Sequence, residues 1–504
     1  MPKELQPTHF EPPKDREIQS ECLKGFIYLT PEGMKAGLDV RKIALQMGMQ
    51  LQHRAQGSAG MMVTNGDEFD VRRGMGWVRV VFDEGRNVPY VPNAHIAGIH
   101  GRYPTSGGSN HRENTQPFNL GNLWFAHHGN LTNTDEIKAR LSSESGIIGK
   151  GLPDSDSWFA FNDIAKAKGQ SLGEKLINAQ VYFEGGWAFT LTDGKTIVAS
   201  RDPYGIRPLM LGYIGPEDNP WGYSIAVETT AFNKIRGYRG YRDIEPGETV
   251  QIDENGETIL DRSPKGRRPS AFEWVYLHGL SGTFEGRRVL PARKEMGRIL
   301  WEEMKNNLPP EFTEGEQLLV VPVPDAGRPA AEGFVEAAQK ALGFNRVKLE
   351  LDALIKNRYV GRLYIDSSDR RVETEDKYDI IPELIEDRNL FVVDDSIVHG
   401  ITTRAIVNLL RNIGRAKGIG LGIASPPIVW RCTFGVDHSG PLIANDIPDI
   451  TERAKHLGAD YLFHLSREGL AEAIGLSQKE LCMRCMGGDG PPLPKSVIPL
   501  NEAS

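Results

Sequence analysis

The run Phe391-Val-Val-Asp-Asp-Ser-Ile-Val-His-Gly-Ile-Thr-Thr403 joins an apolar strand, an acidic pair, a short polar loop and a helix start. Leu390 to Val393 has the length of a buried parallel strand. Behind it Ile406, Leu409, Leu410 and Ile413 recur at helical spacing, with Thr402 as the predicted cap and Gly414 as the stop. Backbone amides therefore converge on the loop. The hydroxyls of Ser396, Thr402 and Thr403, the flexible Gly400 and the helix N-terminus suit a phosphate monoester, which the helix dipole also favours. Asp394 and Asp395 share the sign of a phosphate and cannot hold it. Their partners would be ribose hydroxyls and a magnesium ion carried by a diphosphate, because hard cations take carboxylate oxygens. Together these residues read as a phosphoribosyl diphosphate site.

The elements that must position this loop are legible around it. Leu318 to Val323 and Leu390 to Val393 alternate with helical segments, the pattern of a parallel α/β sheet. Ahead of them the chain is rich in strands: Trp77 to Phe82, Leu123 to Ala126, Trp187 to Leu191 and Thr196 to Ser200 are apolar or alternating runs bounded by turn residues, with helices at Val40 to His53 and Ser157 to Ala167. Arg262 to Ser270, with Pro, Gly and basic residues, reads as a linker. The expected division is a propeptide or leader at 1–21, a first domain at 22–261, a second at 262–486 and a loose tail at 487–504. The 504 residues are 39% hydrophobic and 25% charged with a net charge of -8, ordinary for a large globular chain and no footprint for nucleic acid or membrane. No run of eighteen apolar residues and no signal-like apolar centre in the leader occur, so the expected location is cytoplasmic. Four cysteines are too few for a disulfide framework in a chain of this length.

The phosphate-loop string resembles the signature of type I phosphoribosyltransferases, and further strings resemble the glutamine-dependent amidophosphoribosyltransferases. Val321-Pro-Val-Pro-Asp-Ala-Gly-Arg-Pro-Ala-Ala331 is similar to that family's diphosphate loop, and Leu354-Ile-Lys-Asn-Arg-Tyr-Val-Gly-Arg362 to its flexible closing loop. The resemblance implies that Asp325, Lys356 and Arg362 join Asp394, Asp395, Ser396, Gly400, Thr402 and Thr403 in binding phosphoribosyl diphosphate. Lys356, Arg358 and Arg362 would cover the leaving group, and Gly327 would let backbone approach it. Before the linker, Leu51 to Gly60, Ile99 to Thr105, Glu113 to Phe118, Ala126 to Asn133, Ser155 to Ser157 and Arg201 to Pro208 follow the order of the family's glutaminase domain. There the resemblance implies Cys22 as nucleophile with its own α-amine as base, Arg102 on the glutamine carboxylate, Asp156 on its amino group, and the Gly129 amide with His128 at the oxyanion. The implied fold is an N-terminal-nucleophile αββα sandwich followed by a type I phosphoribosyltransferase domain, in a homodimer or homotetramer. The implied function is transfer of glutamine-derived ammonia to phosphoribosyl diphosphate, the first step of purine synthesis.

Four positions depart from the family pattern. Leu23 and His128 stand where Gly and Asn are usual. If a protonated imidazole were the oxyanion donor, glutamine use should fall as pH rises past its pKa. Val372-Glu-Thr-Glu-Asp-Lys377 replaces a basic segment. Cys432, Cys482 and Cys485 match three of four ligands of a 4Fe-4S cluster, and the fourth position falls on Ser270, leaving Ser270, His278 or an external group to complete it. These departures also admit a paralogue with an impaired glutaminase that uses ammonia or another amine, or a non-catalytic sensor of phosphoribosyl diphosphate. The sensor reading lacks a DNA-binding module.

Overall fold

Strand β1 (Cys22–Leu29) is buried along its whole length because its two faces pack on different layers. Leu23, Ile27 and Leu29 meet Val40, Ile43 and Met47 of the helix Val40–Gln50. Phe26 and Tyr28 point the other way, into a core shared with Ala126, Ala188 and Leu211. A computed structural model describes residues 22–102, 112–141, 147, 151–313, 317–357, 377–436 and 441–493.

Among the described residues thirteen strands build the first domain. β2 (Ser58–Thr64), β3 (Phe69–Met75), β4 (Ile96–Arg102), β5 (Phe118–Leu120), β6 (Leu123–Leu131), β7 (Gly185–Thr192) and β8 (Ile197–Arg201) come first. β9 (Met210–Ile214), β10 (Gly222–Ala226), β11 (Tyr238–Asp243), β12 (Glu248–Asp253) and β13 (Gly256–Arg262) follow. They form two antiparallel sheets, ordered β11-β9-β10-β1-β4-β2-β3 and β13-β12-β8-β7-β6-β5. The helix Val40–Gln50 covers the outer face of the first. Asp156–Lys166 and Leu172–Gln180 cover the second through Phe161, Ile164 and Leu176. This is the expected αββα sandwich.

The linker is not loose. Lys265 and Arg268 donate backbone N–H groups to Pro203 and Tyr204 carbonyls at 2.8 and 2.7 Å, tying it along the first domain. A small hairpin, β14 (Thr283–Phe284) and β15 (Arg287–Arg288), then leads to the second domain. There β16 (Leu318–Pro322), β17 (Val347–Leu349), β18 (Leu354–Lys356), β19 (Tyr378–Ile380), β20 (Asn389–Asp394), β21 (Gly418–Ile423) and β22 (Tyr461–His464) succeed one another. Five make a parallel sheet ordered β17-β16-β20-β21-β22, and β18 pairs with β19 apart from it. Alternation divides the sheet's faces. Val320, Phe391 and Val393 pack under the helices Val289–Met304 and Arg328–Leu342; Leu319, Leu390 and Val392 pack on Ile406, Val407 and Leu410 of the helix Ile401–Asn412.

The two covering helices approach at reciprocal glycines. A Cβ on Gly297 would lie 1.8 Å from the Ala330 carbonyl oxygen, and one on Gly333 1.8 Å from that of Lys294. One hydrophobic core runs without a break from Leu23 and Met47 through Phe272 and Trp274 to Phe334 and Phe391.

Four local expectations change. Trp77 to Phe82 is not a strand: Val78–Val81 is a helical turn, with Val78 and Phe82 buried and Val80 59% exposed. A four-residue spacing, not alternation, sorts its side chains. Thr402 does not cap Ile401–Asn412; Gly400 does, at φ 77°, without a side-chain bond. Val407 takes the buried place assigned to Ile413, which is 54% exposed. The expected tail begins as folded chain, since Met483 donates to the Asp489 carbonyl at 2.7 Å and Arg484 to that of Pro491 at 2.5 Å. Among the described residues no helix is long and apolar enough to cross a membrane.

Candidate active site

Cys22 opens β1, and its register partner on β4 is Arg102, which pairs in turn with Ser58 on β2. The nucleophile candidate is 2% exposed and the guanidinium residue 8%. Burial pushes the Arg102 guanidinium down to about 10, partly offset by the carboxylate of Asp156, so the helix Asp156–Lys166 brings its first residue to the same site. Ser155 caps that helix. Asp156 is itself fixed, accepting from the Leu131 and Ser157 amides at 3.0 and 2.7 Å, with His127 Nδ1 3.6 Å away. Cys22, Arg102 and Asp156 thus converge as the sequence suggests.

His128 and Gly129 lie on β6 in the facing sheet. Gly129 has φ 135°, and a Cβ there would sit 2.0 Å from the Gly186 carbonyl oxygen; only glycine fits. The His128 ring is fully buried, and its Nε2 lies 2.6 Å from Nη2 of Arg207. A guanidinium only donates, so Nε2 accepts and the ring proton is on Nδ1. That Nδ1 is buried and has no hydrogen-bond partner among the described residues. Burial, then Arg207 and Arg54, hold the imidazole well below its ordinary range, so it is a neutral donor and not the protonated one considered from sequence. Asn130 Nδ2 is engaged by the Thr433 carbonyl at 3.0 Å.

In the second domain the ends of β16 and β20 lie side by side in parallel register, Val321 beside Val392 and Pro322 beside Val393. Strand order reverses between them: β17 lies outside β16, and β21 beyond β20. Ligands of open α/β sheets bind outside the strand ends at such a point. Asp394 ends β20, its Oδ1 accepting from the Asp395 amide at 2.9 Å, and Ser396 Oγ donates to Asp395 Oδ2 at 3.0 Å. Both carboxylates are 7% exposed. Burial raises the Asp395 carboxyl, with Asp394, Arg293 and Ser396 opposing. Thr403 Oγ1 is buried without a hydrogen-bond partner among the described residues, so the cradle holds an unspent hydroxyl beside the Ile401–Asn412 helix start. Asp325 and Lys356 meet across the cleft, Nζ to Oδ2 3.1 Å. A Cβ on Gly327 would lie 2.4 Å from the Val393 oxygen, so packing on the neighbouring strand already requires glycine there. Arg358, Arg362 and Glu373 to Asp376 lie outside the described residues.

Two groups that sequence reasoning passed over connect these sites. Arg293 donates to the Trp274 and His278 carbonyls at 2.7 and 2.8 Å and faces Asp395 electrostatically. Glu273, on the same short segment, lies 3.7 Å from Arg207, 3.1 Å from Arg54 and 2.6 Å from His278 Nδ1. Arg54 also bonds Glu228 at 3.0 Å. Arg54 and Arg207 sit in the motif strings, but only the fold gives them partners.

Comparison with known proteins agrees. A family model described as a glutamine amidotransferase domain matches residues 107–222. An amidophosphoribosyltransferase of Mycobacterium bovis is 35% identical over 90% of this chain and 84% of its own length. That of Methanothermobacter thermautotrophicus is 32% identical over 96% and 97%. The chain belongs to the amidophosphoribosyltransferase family. The solved structure of the B. subtilis glutamine phosphoribosylpyrophosphate amidotransferase, complexed with ADP and GMP, superposes with a TM-score of 0.78 at 30% identity, covering 93% of this chain and 97% of the other.

As a member of this family the chain is an enzyme, and three of its cysteines form a further locus. Cys432, Cys482 and Cys485 line one cavity with Ser270, Arg207, Arg431 and Arg484, and Ser270 is bridged to Cys482 in parallel. Burial and the charge of Cys432 push the Cys482 thiol up to about 12, and Cys485 rises for the same reasons. His278 does not line this cavity; it is turned to Glu273. Among the described residues no three His, Cys, Asp or Glu side chains are spaced to hold a single metal ion.

Proposed function

We propose that this amidophosphoribosyltransferase hydrolyses glutamine at Cys22 and delivers the ammonia to C1 of phosphoribosyl diphosphate, giving 5-phosphoribosylamine and diphosphate. The observation that carries the second half is the loop from Asp394 to Thr403, placed where strand order reverses, with an acidic pair on one side and an unpaired buried hydroxyl on the other. In the first half, Arg102 grips the substrate carboxylate and Asp156 its ammonium. The thiolate of Cys22, in a chain beginning at that residue, attacks the amide carbon, and the Gly129 amide with the His128 Nδ1 proton receives the oxyanion. In the second half Lys356 and Arg362 cover the departing diphosphate, and Ser396, Gly400, Thr402 and Thr403 hold the 5-phosphate.

Asp394 and Asp395 fit a magnesium ion brought by the substrate: two buried carboxylates, one with its ionised form disfavoured by burial, gain from a dication that neutralises leaving-group charge. Replacing both by Asn should abolish diphosphate release from phosphoribosyl diphosphate, magnesium and ammonia while glutaminase turnover persists. Unchanged diphosphate release would remove them from the site.

The cysteine cavity fits a 4Fe-4S cluster at three positions, with Ser270 forming the fourth wall; thiols that burial and mutual charge keep protonated become ligands when iron supplies the opposing charge. Cys432, Cys482 and Cys485 would hold such a cluster, which would supply structure by tying their segments together beside Ser270. Protein purified without oxygen should contain iron and acid-labile sulfide, both lost in Cys482→Ser.

A further inference from the structure

The inner face of β1 carries a charge that the glutaminase chemistry above leaves unused. Cys22, Lys24, Phe26 and Tyr28 alternate onto that face, and Phe26 and Tyr28 lie in the core between the sheets. Lys24 is therefore two residues below the nucleophile on the same side of the strand, and its side chain is fully buried. Its ammonium crosses to the facing sheet and donates to the Ala188 carbonyl at 2.7 Å. Ala188 is the register partner of His128. The amine thus reaches the facing sheet at the register partner of His128, from a position two residues along β1 from Cys22.

What surrounds it is neutral or positive. Its neighbour across β4 is His100, whose Nε2 donates to the His127 carbonyl at 3.0 Å, and Arg102 lies one layer above. Burial pushes His100 down to about 3 and His127 to about 4, so both stay uncharged. His128 accepts from Arg207 on the facing sheet. The acidic group that acts on Lys24 is Cys22. A buried ammonium is costly unless an anion accompanies it. Burial brings this one down to about 7, with Cys22 opposing, so proton exchange falls in the neutral range.

We infer that Lys24 is the counter-charge of the Cys22 thiolate, a positioning residue that keeps the nucleophile ionised at neutral pH. The thiol S–H bond breaks and an amine N–H bond forms, so the pair carries no net charge in either state and no proton has to leave the site. The inference rests on Cys22 being the glutaminase nucleophile. The Ala188 bond holds the amine in place whichever of the two carries the proton.

The experiment compares full-length wild type, Lys24→Met and Lys24→Gln. Iodoacetamide labelling of Cys22 is followed by peptide mass from about pH 6 to about pH 10, the span of thiol ionisation. Glutamine still bonds the Ala188 carbonyl but has no charge. Both variants should move the labelling midpoint up by about one pH unit or more, equivalent to about a tenfold loss of thiolate at neutral pH. Glutamine-dependent kcat should fall in step, with KM for glutamine and the ammonia-dependent rate held. Labelling curves that superpose on wild type overturn the inference, as does a Lys24→Gln curve matching wild type beside a shifted Lys24→Met, which would make the residue a hydrogen-bonding strut. The underlying reading is tested separately by Cys22→Ala: glutamine use that survives there removes the nucleophile itself, whatever Lys24 does. If Lys24→Met does not fold, as judged by lost ammonia-dependent activity, Lys24→Gln alone decides.

Discussion

On the proposed reading, the His128 side chain decides what a developing oxyanion meets. The Arg207 bond at 2.6 Å fixes the ring's tautomer, so the Nδ1 proton is a standing neutral donor, held ready much as an amide would hold its own. Removing it in His128→Ala should lower glutamine-dependent turnover on the order of a hundred- to a thousand-fold and leave the ammonia-dependent rate unchanged. Because burial keeps the imidazole neutral, the ratio of the two wild-type rates should show no histidine step between about pH 6 and about pH 8. A ratio insensitive to His128→Ala would take the residue out of the chemistry. The departure at this position is legible in the sequence, since His stands inside an otherwise matching string. Its meaning is not: Arg207 lies 79 residues away, and no local spacing pairs the two. The same holds for Arg293, whose neighbour Asp395 is far along the chain, whereas Asp394 to Thr403 could be read because strand end, loop and helix start are contiguous.

Elements were legible where periodicity was long and misread where it was short. The apolar runs that became β6, β7, β8, β16 and β20 each had a buried face to impose a period, and the long helices had enough turns to display theirs. Trp77 to Phe82 spans one helical turn, too few residues for a spacing of four to stand out against one of two. Gly297 and Gly333 sit inside helices, where glycine costs helix stability, and their purpose is tertiary. Each lets the other helix's backbone pass at a distance that a methyl group would forbid. Alanine at Gly333 should gain up to about 1 kcal/mol in helix propensity yet destabilise by about 1–3 kcal/mol or more through overpacking against backbone that cannot turn aside. A thermal melt of Gly333→Ala should therefore show a lowered midpoint; a raised one would mean that the helices separate at little cost.

Across the whole molecule, burial has placed ionisable groups where acid must harm the fold. Burial opposes ionisation of Glu273, but Arg54 and His278 outweigh it and hold the carboxyl well below the usual range; Glu228 is held down likewise by His53, His278 and Arg54. A carboxylate whose folded-state pKa is depressed contributes stability above its unfolded value of about 4.3, and that contribution is lost as pH falls below it. Burial pushes His100 and His464 to about 3 and His127 to about 4. The unfolded chain would protonate these three near pH 6.5, so they withdraw stability as pH falls from about 6.5 toward those values, each by up to about 1.4 kcal/mol per pH unit. The denaturant midpoint should accordingly decline from about pH 6.5, more steeply below about pH 4.3; a flat profile over that span would contradict the buried neutral histidines. The network of Arg54, Glu228, Glu273 and His278 has one more consequence, because its members come from both sides of the 262–270 linker and are buried there together. Each half, made alone, would inherit charges whose partners sit on the other polypeptide and an open face of the shared core. Neither half should therefore reach the stability of the intact chain when it is expressed alone.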